Sequence, residues 1–214
     1  MNNEILVNIT PQETRVAILE QGVSQELHIE RESGRGIVGN IYNGRVSRVL
    51  PGMQSAFIDI GLDRAAFLHV ADIWSPNQEG ETTQPIEKLL YEGNSILVQV
   101  IKDAIGTKGA RLSTQISLAG RLLVYLPQES HIGISQRIGD DSERELLREK
   151  LQQILPADEK GGYIIRTMAE TADESDLRAD LDYLHKLWHD IQKKSMAIAA
   201  PVLLYQDLDL SHRV

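Results

Sequence analysis

Ser55-Ala56-Phe57-Ile58-Asp59-Ile60-Gly61-Leu62-Asp63-Arg64-Ala65-Ala66-Phe67-Leu68-His69-Val70 reads as two short strands joined by a turn at Gly61-Leu62-Asp63. Successive strand residues face opposite sides of a sheet. Ala56, Ile58 and Ile60 therefore share one face of the first strand, and Phe57 and Asp59 share the other. In the second strand Ala66, Leu68 and Val70 oppose Phe67 and His69. The side that carries an acid is the wet side, so both rings are expected on it. They are the only two phenylalanines of the chain. Exposed aromatic rings on neighbouring strands contribute little to a core, but they are what a stacking platform for single-stranded nucleic acid requires. The competing reading for each ring, ordinary core packing, is disfavoured by its face.

Working outward, residues 36–118 predict five strands. The first runs from Val38 to Val49 and stops at Pro51-Gly52. Met53–Ile60 and Ala65–Val70 follow, then a polar stretch from Trp74 to Pro85, then Ile96–Lys102 and Ala110–Ile116. The turn Ala104-Ile105-Gly106-Thr107-Lys108-Gly109 is glycine-bounded and basic. Short antiparallel strands with a long loop after the third suggest an OB-type barrel rather than a flat sheet. Gly39, Gly44 and Gly61 supply the bends that closure needs.

Before this unit, residues 4–30 read as hairpin material: Ile5–Ile9, Thr14–Leu19 and Gln25–Ile29, with a turn at Gly22. Three such strands alone leave edges that recruit other edges, which predicts self-association into a homo-oligomer. After Leu118 the pattern mixes. Leu122–Leu126, Ile132–Ile138 and Tyr163–Thr167 read as strands. Ser142-Glu143-Arg144-Glu145 reads as a capping box opening a helix to about Leu155, and Thr171-Ala172-Asp173-Glu174 as a second box. The helix after it carries Leu177, Leu181, Leu184, Trp188 and Ile191 as one apolar stripe. Asp173, Asp176, Asp180 and Asp182 are read as stabilising or solvating its start. Val202–Tyr205 reads as a further strand, and Asp207, Asp209 and His212 as a cut segment without a site of their own. The whole is α+β.

Composition bounds the function classes. The chain has 214 residues, no cysteine and a formal net charge of −9. Disulfides and thiolate metal sites are excluded within it. No apolar run is long enough for a membrane span, and the start lacks a signal-peptide pattern, so a cytoplasmic home is the expectation. Acidity argues against nucleic acid at first sight. Yet residues 31–121 hold ten basic and nine acidic residues, and the acids crowd between Asp72 and Glu92. Both ends of the segment are left basic.

The strings Gly36-Ile37-Val38-Gly39-Asn40-Ile41-Tyr42-Asn43-Gly44-Arg45-Val46 and Gln54–Gly61 resemble an RNA-binding domain of the ribosomal S-one type. Joined to Gly106-Thr107-Lys108-Gly109-Ala110-Arg111-Leu112-Ser113, Gly133–Ile138 and Gly162–Thr167, they resemble the ribonuclease E/G family over essentially the whole chain. The short loops and the Glu26–Arg31 segment resemble the bacterial G type more than the E type. The resemblance implies a single-strand-specific, magnesium-dependent endoribonuclease of rRNA maturation and mRNA decay. It prefers RNA with a 5′-monophosphate and has no small-molecule substrate.

It also implies an organisation. Residues 1–35 would begin a ribonuclease-H-like region, 36–118 would be the S-one type OB domain, 119–200 the 5′-end sensor, and 201–214 the start of the second ribonuclease-H-like part. The family's Mg2+ carboxylates and its Zn2+ link lie later in sequence. The chain is therefore expected to be an N-terminal piece with no catalytic residue or metal ligand of its own. Phe57 and Phe67 match the family's base-stacking pair, and Lys108 a basic residue beside them; His69 is a weaker RNA-binding candidate. Arg166 and Thr167 match the family's arginine-threonine pair, which grips the terminal phosphate. Gly120 and Val124 match its backbone contacts. A guanidinium fork suits two phosphate oxygens; the competing role for Arg166 is an ion pair with Glu170. Lys102, Arg111 and Arg121 are either solvated charges or phosphate contacts. Two other readings stay open: a stand-alone single-stranded RNA-binding adaptor, and a protein-interaction module.

Overall fold

The structure is a computed structural model that describes residues 3–75, 84–139 and 141–213. The middle of the polar stretch read between Trp74 and Pro85 lies outside the described residues.

Three sheets are built in chain order. The first has strands β1 (Asn3–Ile9), β2 (Glu13–Glu20) and β3 (Val23–Arg31), all antiparallel. Gln21 and Gly22 both adopt positive φ, 52° and 78°, in the tight turn between β2 and β3. A two-residue turn of that hand matches the twist of the strands it joins.

The second sheet closes on itself. Strand β4 (Ile41–Leu50) pairs antiparallel with β5 (Ser55–Asp59), and β5 with β6 (Ala66–His69). The short helix α1 (Ile86–Leu89) then leads to β7 (Ser95–Lys102) and β8 (Arg111–Ser113). Strand β8 runs parallel to β6 and antiparallel to β7, and β7 returns to β4. This is a five-stranded closed barrel of OB type, as the sequence led us to expect. Its interior holds Tyr42, Val46, Ala56, Ile58, Leu68, Val98, Val100 and Leu112, with Ile86 of α1 buried among them. The barrel closes tightly. At Gly44 a Cβ would stand 2.5 Å from the Ile58 side chain, and at Gly109 it would stand 2.1 Å from the Ala65 carbonyl oxygen. A side chain at Gly109 would force apart the β6 and β8 backbones where they meet.

The third sheet, in the order β11–β12–β10–β9, comprises β9 (Leu118–Ala119), β10 (Leu123–Leu126), β11 (Ile132–Ile134) and β12 (Gly162–Ile165). Helices α2 (Asp141–Ile154) and α3 (Glu174–Ala197) supply Leu147, Leu151 and Ile154, and Leu177, Leu181, Leu184 and Ile191, to the core it shares. The apolar stripe read from the sequence is the buried stripe of α3. Two cap readings need correction. Helix α2 begins at Asp141, so Ser142 lies within it. Helix α3 is capped by Asp173, whose side chain accepts from the Asp176 N–H at 2.9 Å while the Asp176 carboxylate accepts from the Asp173 N–H. The reciprocal box therefore starts two residues after Thr171.

The last strand, β13 (Val202–Tyr205), pairs antiparallel with the first half of β4. It leads to α4 (Leu210–Arg213), which packs on β2 and β3 and whose Leu210 N–H donates to Glu30. The barrel is also tied to the end of α3. The Asn43 amide donates to the carbonyls of Ser195 and Ile198, each at 3.2 Å, and the Arg45 guanidinium to that of Ala200.

Candidate nucleic-acid interface

Two groups of side chains stand out, one on the barrel wall and one at the edge of the third sheet.

On the wall, the register of β5 and β6 places Phe57 directly opposite Phe67. Their ring centroids are 6.3 Å apart and their planes 67° apart, an edge-to-face pair. Phe57 is 36% exposed and Phe67 half-buried, while Ala56, Ile58, Ala66 and Leu68 behind them are fully buried. The rings line a groove of about 880 Å³. Lys102 and Lys108 line it too, both exposed. Among the described residues neither lysine has an ion-pair partner. The tip carrying Lys108 is a small hairpin: Ile105 and Lys108 exchange backbone hydrogen bonds of 3.1 and 3.0 Å across Gly106-Thr107. Gly106 has φ +57°, which the turn requires. The Arg64 guanidinium donates to the Gly106 carbonyl and holds the tip beside the rings.

Two candidates are committed to other partners. His69 does not line the groove: its Nδ1 accepts from the Ala71 N–H at 3.1 Å and caps a turn of 3-10 helix. Arg111 lines the groove, but its guanidinium makes a two-pronged contact with Asp72, 2.8 and 3.0 Å. That partner raises its already high pKa further, first through the hydrogen bond. Arg111 is thus a braced charge, with the Asp72 carbonyl also accepting from the Ser113 hydroxyl of β8 and from the Thr114 N–H just after it, both at 3.0 Å.

At the third sheet, Arg166 follows β12 directly and is exposed, with Thr167 half-buried beside it. The Arg166 guanidinium donates to the carbonyl of Gly120, and its N–H donates to Leu122 at 2.9 Å. Val124 sits in the middle of β10, in register with Ala119 on one side and Ile164 on the other. The Gly120 N–H is taken by the Leu123 carbonyl at 2.8 Å. The four predicted phosphate-site residues are therefore neighbours. Glu170 makes no ion pair with Arg166. Among the described residues no carboxylate does, and the Thr167 hydroxyl has no hydrogen-bond partner.

Sequence reasoning missed what braces this region. Asp180 of α3 reaches back to the turn before β10, and Tyr163, His185 and Glu159 form a polar cluster behind β12. The Tyr163 hydroxyl and Glu159 both lie 2.7 Å from His185 Nε2, and Glu159 accepts the Gly161 N–H at 2.6 Å. Burial, with Glu159 nearby, pushes the Tyr163 phenol well up and the Tyr125 phenol up to about 12. These residues are far apart in sequence and no local pattern joins them.

Among the described residues no three His, Asp or Glu side chains converge as a metal-holding group. The Asp59 carboxylate, in the Asp59–Asp63 turn, accepts the Gly61 N–H at 2.9 Å and stabilises the turn. Among the described residues no helix is long and apolar enough to cross a membrane.

Fold and surface together define an OB-type barrel with an open aromatic and basic groove, joined to a mixed sheet with an exposed arginine at its rim. Comparison with known proteins gives the family. Residues 117–214 match the model of the ribonuclease E/G family. The whole chain is 50% identical to ribonuclease G of Escherichia coli K12 and covers 45% of it. It is 49% identical to ribonuclease G of Haemophilus influenzae, with 99% of this chain and 44% of the relative aligned. It is 38% identical to ribonuclease E of Nostoc, with 96% and 29% aligned. The chain belongs to the ribonuclease E/G family, and it spans less than half the length of these relatives.

Proposed function

We propose that this chain is the RNA-binding and 5′-end-sensing part of a single-strand-specific endoribonuclease that depends on Mg2+ as a whole protein, with a separate Zn2+ link. The single observation that carries the reading is the Phe57–Phe67 pair, open to solvent in a groove with Lys102 and Lys108. Bases of a single strand stack on such rings, and lysines neutralise the phosphates between them. A duplex keeps its bases stacked on each other and gains little from the rings.

The second element of the proposal is the 5′ end. Arg166 is a fork-shaped donor with no carboxylate partner among the described residues, and Thr167 offers an unpartnered hydroxyl. A terminal monophosphate dianion fits that pair. Gly120 and Val124 shape the floor beside it. Residues 1–35 and 201–214 would belong to a ribonuclease-H-like region, 36–118 to the S-one type domain and 119–200 to the sensor. The first sheet leaves Ile5, Leu6, Val7, Ile9, Leu27 and Ile29 exposed, which supports self-association.

Fluorescence anisotropy with labelled RNA tests the central claim. The chain should bind a single strand at least about tenfold more tightly than the same sequence as duplex. Phe57→Ala and Phe67→Ala should each weaken single-strand binding by about 1–3 kcal/mol per base unstacked. Equal binding of both RNA forms, or unchanged binding in both variants, would favour the reading of the groove as a protein-interaction surface.

A further inference from the structure

Asp180 is the seventh residue of α3 and lies beyond the first turn, where a carboxylate gains from the helix dipole. Its carboxylate does something else. Oδ1 accepts the Arg121 N–H at 3.0 Å, and Oδ2 accepts the N–H groups of Leu122 and Leu123 at 2.9 and 2.8 Å. One side chain thus holds three consecutive backbone donors of a turn fifty-nine to fifty-seven residues earlier in the chain. Hydrogen bonds to an ionised acceptor are the strong kind. Gly120 makes the approach possible: a Cβ there would stand 2.5 Å from the Asp180 carboxylate.

The same turn carries the groups that hold Arg166. Its guanidinium rests on the Gly120 carbonyl, and its N–H is bound to the Leu122 carbonyl. With no carboxylate to orient it among the described residues, the Arg166 side chain takes its direction from Gly120. The Gly120 N–H is held by the Leu123 carbonyl, and the Gly120 carbonyl shares a peptide plane with the Arg121 N–H that Asp180 accepts.

We propose that Asp180 is a positioning residue of the phosphate site: by clamping the turn at residues 121–123 it fixes the Gly120 carbonyl and so aims the Arg166 guanidinium. This rests on the 5′-sensing reading given above. Asp180 touches no RNA itself and works through the turn. Without the clamp, three amides lose an acceptor and the turn relaxes, and Arg166 is free to sample directions that miss the phosphate.

The test uses the 214-residue protein and one single-stranded RNA in two forms, 5′-monophosphate and 5′-hydroxyl. The quantity read is the ratio of the two affinities. Wild type should prefer the monophosphate, and Arg166→Ala should abolish the preference. Asp180→Asn keeps the shape but presents an amide to N–H donors, and should cut the preference at least about fivefold. Binding of the 5′-hydroxyl form, which relies on the barrel groove, should stay within about twofold. The double variant Asp180→Asn/Arg166→Ala should show no less preference than Arg166→Ala alone, since both act on one contact. Gly120→Ala keeps the charge yet pushes the carboxylate away, and should lower the preference as well.

The outcomes separate. If wild type has no preference, the sensing reading falls and this inference with it. If Arg166→Ala loses the preference while Asp180→Asn and Gly120→Ala keep it, the sensing reading stands and the role given to Asp180 is wrong. A uniform loss of both RNA forms in both variants would make Asp180 a support of the fold alone.

Discussion

At the scale of single residues, exposure and burial invert the usual ranking of side chains on the barrel. Phe57 is larger than Leu68, yet Leu68 is fully buried and Phe57 faces the groove. Leu68→Ala should cost about 2–5 kcal/mol, the range for a buried leucine that leaves a cavity. Phe57→Ala should lose mainly the edge-to-face pair with Phe67, about 0.5–1.5 kcal/mol. Urea titration of both variants checks this; a Phe57 variant as unstable as the Leu68 one would make the ring a core residue. Arg166 is judged by a cycle. Replacing the 5′-phosphate with hydroxyl and replacing Arg166 with Ala should each cost about 1.5–3 kcal/mol of binding, and together no more than one alone. Arg166→Lys should recover part of the loss, because a point charge replaces a fork. Thr167→Val should cost less, since one hydroxyl goes and the charge stays. Additive losses in the cycle would separate Arg166 from the phosphate.

At the scale of elements, the short helix α4 shows how a small piece is held in place. Asp209 precedes it. Its carboxylate accepts from Ser211 Oγ at 2.6 Å and lies 2.6 Å from His212 Nδ1, with the His212 N–H at 3.1 Å. The Ser211 hydrogen bond first, then that of His212, draw the Asp209 pKa from 3.8 down to about 2. A folded-state pKa below the unfolded one stabilises above the unfolded value, and that contribution is lost as pH falls through the folded value. The seating of α4 on β2 and β3 should therefore weaken between about pH 3.8 and pH 2. Backbone chemical shifts of Ser211 and His212 should titrate with a midpoint near 2 and stop doing so in Asp209→Asn. A midpoint near 3.8 would show that the hydrogen bonds do not persist in solution. The elements themselves were largely readable. Period-two alternation is clearest in β5 and β6, where Ala56, Ile58, Ala66 and Leu68 are buried and Phe57 and Phe67 are not, whereas Ile41–Gly44 of β4 and Val98–Val100 of β7 are buried on both faces. The α3 stripe was found because its period is that of a helix. The caps were misread by one or two residues, because several acids and hydroxyls stand near each helix start and only the backbone decides which one closes the turn.

At the scale of the whole molecule, the first sheet stands apart from the other two. Strand β1 exposes Ile5, Leu6, Val7 and Ile9, so both of its faces carry apolar side chains in water. Val16 at the centre of β2 is fully buried, and α4 packs against β2 and β3. An apolar sheet with a free edge associates with other sheets. Sedimentation velocity should show a mass that rises with concentration, and paired changes such as Leu6→Lys with Leu27→Glu should shift it toward monomer. A monomer at all concentrations would count against self-association. The negative net charge does not conflict with RNA binding, because the groove beside the two rings carries Lys102, Lys108 and Arg64 with Asp103 as its only acid among the described residues.

By itself the sequence determined the α+β class, the five-stranded barrel and the face on which Phe57 and Phe67 lie. The strands and their faces follow from periodicity, which is local and survives without knowledge of neighbours, and closure is legible in the long loop and the bends at Gly39, Gly44 and Gly61. The proximity of Arg166, Thr167, Gly120 and Val124 came from the resemblance, and the fold brings them together. Only the tertiary structure decided how charges are committed. Arg111 goes to Asp72, His69 to a turn, and Asp180 to three amides nearly sixty residues away. Arg166 is left with a carbonyl in place of a carboxylate. A side chain's hydrogen-bond partner depends on which strands and helices meet, and that is set by burial of the core, not by spacing along the chain.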